Sequence, residues 1–102
     1  MTRDAALVAL EKCREKIDEL DLRILALLNQ RAGIVEQIGH IKQAAEMPIY
    51  EPRREELVFE NVTTHNSGPL APDAVKRVFE RIIDEMRKVQ RDHMEADKRQ
   101  CS

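Results

Sequence analysis

Three cations lie within the apolar stripe of the first half of the chain, and anion binding is the chemistry they indicate. Apolar residues recur there at helical spacing, at Leu10, Cys13, Ile17, Leu20, Ile24, Leu27, Leu28, Ile34, Val35, Ile38 and Ile41. Arg14, Arg31 and Lys42 fall in the same stripe. Charges on a buried helix face must be paired, and no acidic residue recurs beside all three cations. We therefore predict that they line a cavity that holds an anion.

The spacing of these cations decides which of them can share a site. From Arg31 to Lys42 a helix turns by about 1100° and returns to within ~20° of the same direction, so both can line one site ~16 Å apart along the axis. Arg14 lies ~25 Å from Arg31 along the helix, which is too far for a site within one chain. In an antiparallel pair of chains, Arg14 of one copy approaches the Arg31 and Lys42 region of the other. The spacing thus permits a composite site across a homodimer.

The composition is that of an all-α protein. The 102 residues include no Trp, two Phe and one Tyr, few Gly and Pro, and many strong helix formers. A chain of this length holds one domain at most. We expect residues 1–102 to form that single domain, with an ordered core over about residues 5–92 and a charged tail over about 93–102 that frays.

The first helix is predicted to run from about Asp4 to about Glu46, because no proline interrupts the pattern before Pro48. Such a helix is roughly 60 Å long, whereas a compact chain of this size has a radius of gyration of only ~13 Å. A second copy of the chain is the simplest cover for its far half. Gly33 and Gly39 inside it are either tolerated or mark a close approach of a helix or ligand.

Two shorter helices follow. Pro52 suits the first position of helix 2, which we expect to run to about His65, and a turn follows over residues 66–69. Pro72 opens helix 3, and we expect the highly charged segment after Gln90 to fray.

Polar residues at the margins of these helices are further candidates for the site. Arg54 and Glu55 open helix 2, and Glu55 shares a face with Val58. Gln90 follows Met86 by one helical turn. Each of them could equally be a solvated surface residue, and the arginines of helix 1 could extend from an interface edge into water.

Several kinds of chemistry are not expected. The three histidines lack ligand spacing, the two cysteines are distant, and no phosphate loop or nucleophile elbow occurs. An enzyme with this sequence would use no metal, cofactor, covalent intermediate or general base, and would bind an anion and stabilise developing charge.

Charge and hydropathy exclude other partners. The net charge is −2 without a long basic run, and aromatics are few, so nucleic acid is not an expected partner. No signal peptide or membrane span is evident, which favours a cytoplasmic protein without membrane contact. Cys13 is then predicted to be a small core residue and Cys101 part of the polar tail, with no disulfide expected between them.

Ordered sequence runs resemble the all-helical class of chorismate mutase. They are REKIDELD at 14–21, LLNQR at 27–31, IGHIK at 38–42, the segment from Pro48 to Glu55, and VFERII at 78–83 followed by Gln90. The similarity extends from about Leu7 to Gln90. Each run alone is a weak indication of the family, but the whole set in this order and at these spacings is specific for it.

The resemblance implies a homodimer of intertwined three-helix protomers that rearranges chorismate to prephenate, in phenylalanine and tyrosine biosynthesis, without a cofactor. By position, Arg14 of one subunit and Arg31 of the other would bind the substrate carboxylates. Lys42 would bind a carboxylate and donate to the ether oxygen, and Gln90 would donate to that same oxygen. Glu55 would accept a hydrogen bond from the ring hydroxyl.

Arg54 and Glu51 would lie beside the hydroxyl and the ring. Two positions depart from the family pattern, in which serine is common at the position of Met86 and aspartate at that of Glu51. The loss of the serine removes a polar contact and bears on substrate affinity more than on the type of reaction.

Two other functions remain open. An isochorismate-pyruvate lyase of the same fold, which forms salicylate, keeps the cations and the glutamine but typically lacks the carboxylate that Glu55 supplies. A non-catalytic dimerisation or regulatory module would use the long amphipathic helix equally well, without needing the polar set. Since the chain has no room for a regulatory domain, we expect any feedback control to need a partner protein, such as another enzyme of the pathway.

Overall fold

The computed structural model describes residues 1–101, and side chains over residues 1–96. It contains three helices, α1 (Arg3–Ala44), α2 (Pro52–His65) and α3 (Pro72–Cys101), and no strand in the described residues. The prediction of an all-α chain with one very long helix is confirmed. Contacts divide the chain into two units, Met1–Gly33 (the N-terminal unit) and Ile34–Ser102 (the C-terminal unit).

The N-terminal unit is the greater part of α1, and its apolar stripe is uncovered in the single chain. The helix begins after Thr2, whose hydroxyl accepts a hydrogen bond from the Ala5 amide at 3.1 Å. The exposed large apolar side chains of this unit are Met1, Leu7, Val8, Leu10, Ile17, Leu20, Leu22, Ile24, Leu25 and Leu27. Cys13 is exposed as well, so its prediction as a core residue is wrong for one chain.

The residue that ends α1 in the left-handed conformation is Glu46 and not the usual glycine. The Met47 amide donates to the Lys42 carbonyl at 2.8 Å and the Glu46 amide to the Gln43 carbonyl at 3.3 Å. Glu46 has a φ of 55°. These are the two hydrogen bonds of a Schellman motif, which stops the helix two residues short of the predicted end.

The helix α2 has the predicted bounds because proline and polar side chains mark both ends. Pro52 occupies its first turn, where no backbone donor is needed. At the other end Asn66 donates from its side-chain amide to the Leu70 carbonyl at 2.8 Å, and its side-chain oxygen accepts from the Gly68 amide at 3.2 Å. This Asx-type turn leads the chain back into α3.

The helix α3 packs on α2. Of the three apolar side chains that are buried within residues 1–96, α3 carries Val75 and Met86, and α1 carries Val35. The helix α3 continues to Cys101, through the charged segment after Gln90, and the fraying of that segment stays a prediction. The segment after Gln90 contains no proline or glycine and consists largely of helix-compatible residues, which lets the helix extend. None of the helices in the described residues is long and apolar enough to cross a membrane.

Candidate active site

Among the side chains that the structure describes, the two buried polar ones both lie in the C-terminal unit, and they define the candidate site. Lys42 is 6% exposed and Gln90 is 8% exposed, similar to the apolar side chains buried beside them in that unit. Lysine and glutamine are seldom buried without a reason, because each loses its hydration when water is excluded. Their burial therefore indicates a polar site within the small core.

A glycine brings the helices that carry these two side chains together. A Cβ atom built on Gly39 would lie 3.7 Å from Cγ and 3.9 Å from Cα of Gln90. Lys42 follows Gly39 by three residues, which places it on the same face of α1 one turn later. The buried amine and the buried amide thus belong to one helix crossing, and the close-approach interpretation of Gly39 is confirmed. A Cβ atom built on Gly33, the other glycine of α1, would have no such contact within 4 Å in the single chain.

An imidazole pair braces the same crossing. His40 follows Gly39, and its Nε2 lies 2.6 Å from Nε2 of His93, three residues after Gln90. The two rings meet edge to face with centroids 4.3 Å apart. This contact between α1 and α3 helps to fix the helices on either side of the polar site.

Two oxygens from the segment before α2 hold the Lys42 ammonium. Its Nζ lies 2.7 Å from Oε1 of Glu51 and donates to the Ile49 carbonyl at 3.2 Å. Glu51 is the N-cap residue of α2, yet its side chain makes no capping hydrogen bond. A carboxylate normally gains stability by accepting from the first amides of a helix, so here the ion pair takes the place of capping.

The buried amide of Gln90 has unused hydrogen-bonding capacity. Its Oε1 has no hydrogen-bond partner among the described residues. The oxygen and nitrogen of a glutamine amide are assigned from their surroundings, so the amide can present either a donor or an acceptor at this place. A buried polar group without a partner costs about 1–3 kcal/mol, which a polar ligand can recover.

A second ion pair joins α2 to α3 beside the first. The Arg87 guanidinium binds Oε1 of Glu55, and both side chains are about three-quarters buried, at 27% and 22% exposed. Arg87 also lies 5.6 Å from the centre of the Tyr50 ring and 3.5 Å from a carboxylate oxygen of Asp84. Arg87 was not among the predicted site residues. Its position one turn before Gln90, on the turn that also carries Met86, is the feature that could have identified it.

The remaining predicted site residues fall into two groups. In the C-terminal unit Met86 is buried and Arg54 is exposed. In the N-terminal unit Arg14 is exposed and Arg31 is half-buried. Their approach to Lys42 therefore stays a prediction.

The chemistry available to the C-terminal unit follows from this set. A buried cation and a buried amide can donate hydrogen bonds to one anionic or polarised oxygen, and the low dielectric strengthens both bonds. The carboxylate of Glu55 can accept a hydrogen bond nearby. Within the described residues, no three His, Cys, Asp or Glu side chains are grouped closely enough to hold a metal ion.

Comparison with known proteins identifies the family. A family model described as "Chorismate mutase type II" matches residues 13–91. A bifunctional chorismate mutase/prephenate dehydratase from Aquifex aeolicus is 37% identical over 78 residues, which are 72% of this chain and 22% of that protein. The chain thus spans less than a quarter of the length of that relative.

Two solved structures match over nearly their whole length. Chorismate mutase from Helicobacter pylori, solved in complex with prephenate, superimposes with a TM-score of 0.81 and 30% identity, over 86% of this chain and 96% of that one. Chorismate mutase (Form II) from Thermus thermophilus gives a TM-score of 0.80 and 26% identity, over 81% and 94%. With the family match over most of its residues, the chain belongs to the chorismate mutase type II family.

Proposed function

We propose that the protein converts chorismate to prephenate. The observation that carries this proposal is the burial of Lys42 and Gln90 at one helix crossing. In the proposed reaction both side chains donate to the same oxygen. Family membership supplies the reaction, and the relative solved with prephenate indicates the kind of molecule that such a fold accepts.

The reaction needs only charge stabilisation and a restricted substrate. The ether C–O bond breaks while a C–C bond forms within one molecule, and negative charge grows on the ether oxygen. Donors fixed at that oxygen bind the transition state more strongly than the ground state. A ~10⁶-fold acceleration requires about 8 kcal/mol, and one preorganised donor supplies about 3–4 kcal/mol. Lys42 and Gln90, with a clamp that selects the reactive conformer, therefore suffice.

The other predicted residues complete the site around the substrate. Arg14 and Arg31 bind the two carboxylates, and Glu55 accepts a hydrogen bond from the ring hydroxyl. Arg54 and Glu51 lie beside the hydroxyl and the ring. Since Glu51 already binds Lys42 in the free protein, a substrate anion shares that ammonium with Glu51 or displaces it.

Met86 gives the site an apolar wall. Its side chain is buried on α3, one turn before Gln90, and its thioether is at most a weak hydrogen-bond acceptor. We therefore assign it a role in substrate affinity rather than in bond cleavage.

A homodimer with shared sites accounts for the uncovered stripe of α1. Contiguous apolar surface on a single helix needs cover, and a second copy both supplies it and brings Arg14 to the site. An enzyme that consumes prephenate is the expected pathway partner, since one relative carries a prephenate dehydratase in the same chain.

Product identification tests the proposal directly. The purified protein is incubated separately with chorismate and isochorismate, and the products are identified by NMR. Prephenate from chorismate is the expected result. Salicylate and pyruvate from isochorismate with little prephenate would make the protein a lyase despite Glu55, and turnover of neither by a folded dimer would favour a binding module.

A further inference from the structure

Arg87 is a residue of the site to which neither the sequence pattern nor the family resemblance assigns a role. One guanidinium from α3 contacts a carboxylate of α2, the ring of Tyr50 in the segment before α2, and Asp84 one turn earlier on its own helix. These contacts therefore tie the start of α2 to α3 next to the buried polar crossing.

We infer that Arg87 is a positioning residue for Glu55: its guanidinium holds that carboxylate in one rotamer, so that Glu55 recognises a hydroxyl group of the bound substrate. The inference rests on the proposed function, and it adds to the site a residue, Arg87, that acts on the substrate through Glu55. Arg87 itself touches neither the substrate nor the reacting atoms.

The geometry supports this role because Glu55 alone is poorly suited to recognition. A free glutamate side chain samples many rotamers, and fixing it on binding costs conformational entropy. A guanidinium has five donors and fixes a carboxylate through charge-assisted hydrogen bonds. The remaining lone pairs of the carboxylate can still accept a hydrogen bond from a hydroxyl group. With Glu55 about three-quarters buried, its pairing with Arg87 also keeps the carboxylate charged away from water.

The tyrosine ring and the second carboxylate explain why Arg87 itself stays in place. The Tyr50 ring lies at cation–π distance from the Arg87 guanidinium, and Asp84 adds a second carboxylate contact to that group. The Arg87 guanidinium is therefore held in place before substrate binds, and the Glu55 carboxylate that it contacts is fixed with it.

A double-mutant cycle tests the inference. Michaelis–Menten parameters with chorismate are measured for the full chain and for Arg87→Met, Arg87→Lys, Glu55→Gln and Arg87→Met with Glu55→Gln. The matched control is Arg81→Met, which removes a cation from an exposed pair within the same helix. Far-UV circular dichroism and sedimentation confirm that every variant keeps the fold and assembly of the wild type.

The expected result is a loss that depends on Glu55. Arg87→Met raises KM by about tenfold to a hundredfold with kcat within about threefold, because hydroxyl recognition is present in both ground and transition states. Arg87→Lys recovers part of the loss, since it restores the charge without the planar fork. In the Glu55→Gln background, or with a chorismate analogue that lacks the ring hydroxyl, Arg87→Met changes KM by less than about threefold.

Two outcomes contradict the inference in distinguishable ways. If wild-type protein turns over chorismate but Arg87→Met has the same effect with and without Glu55, or no effect in either background, Arg87 does not act through that carboxylate. If wild-type protein turns over no chorismate at all, the proposed function fails, and the role of Arg87 fails with it.

Discussion

The close approach of Gly39 and Gln90 leads to a prediction with opposite signs for two substitutions at one position. An added Cβ would lie 3.7 Å from the nearest Gln90 atom, which is ordinary van der Waals contact. Gly39→Ala therefore fits, and the higher helix propensity of alanine stabilises the fold by about 1 kcal/mol. For a chain of this size that is a rise in Tm of about 4–8 °C, with kcat within about threefold of the wild type.

A larger side chain at the same place is expected to act on catalysis. Carbons beyond Cβ extend the side chain by about 1.5 Å per bond, so Gly39→Leu overlaps the volume of Gln90 and displaces its amide. The loss of one preorganised donor lowers kcat by roughly 10²–10³-fold. The assay is the initial rate of chorismate consumption, with calorimetry for Tm.

The Gln90→Ala background is the control for this reasoning. With the amide already removed, Gly39→Leu has nothing to displace, so kcat falls by less than about threefold further. An equal loss in both backgrounds would show that leucine disrupts something other than Gln90. A lower Tm for Gly39→Ala would refute the contact geometry itself.

Three further predictions concern the donor, the helix end and the assembly. Gln90→Glu makes activity fall as pH rises toward neutral, because glutamate donates only when protonated; a flat pH profile of kcat contradicts the donor role. Glu46→Gly raises the free energy of unfolding by about 1 kcal/mol in denaturant titrations, because glycine tolerates the left-handed φ, and an unchanged midpoint would contradict it. Mixing Arg14→Ala with Arg31→Ala protomers restores part of the lost activity, because one site of each heterodimer is then intact. No recovery in verified heterodimers would exclude shared sites.

Helix positions were predictable where proline or polar turns set them. The start of α3 at Pro72 and both ends of α2 follow from proline and turn residues. The observed ends of α1 and α3 have physical causes that the sequence pattern did not mark. Glu46 ends α1 in the left-handed conformation, which a sequence usually signals by a glycine. The charged segment after Gln90 has no residue that stops a helix.

The candidate site was predictable only in part. Lys42 was identified because a cation within an apolar stripe violates the helical pattern. The pairing of Lys42 with Glu51 and that of Glu55 with Arg87 were not predicted, because each depends on how different segments of the chain meet. Burial of Gln90 likewise arises from the approach of α1, which a single-helix pattern cannot reveal.

The apolar stripe shows a different limit of sequence reasoning. Its residues were predicted to face a buried surface, and those of the N-terminal unit, apart from half-buried Leu28, are exposed in one chain. Helical periodicity identifies which side chains need cover but does not state whether the same chain provides it. The proposed second copy reconciles the pattern with this exposure.

The central claim is that buried Lys42 stabilises charge that develops in the transition state. The most direct measurement compares Lys42→Met with the wild type in kcat for chorismate and in Kd for prephenate, which lacks the breaking ether bond. Methionine keeps the apolar stem and removes the donor. We predict that kcat falls at least ~10²–10³-fold, the range for one lost donor, and falls further than the affinity for prephenate. A kcat within about threefold of the wild type, or a loss no larger than the loss of product affinity, would contradict the claim.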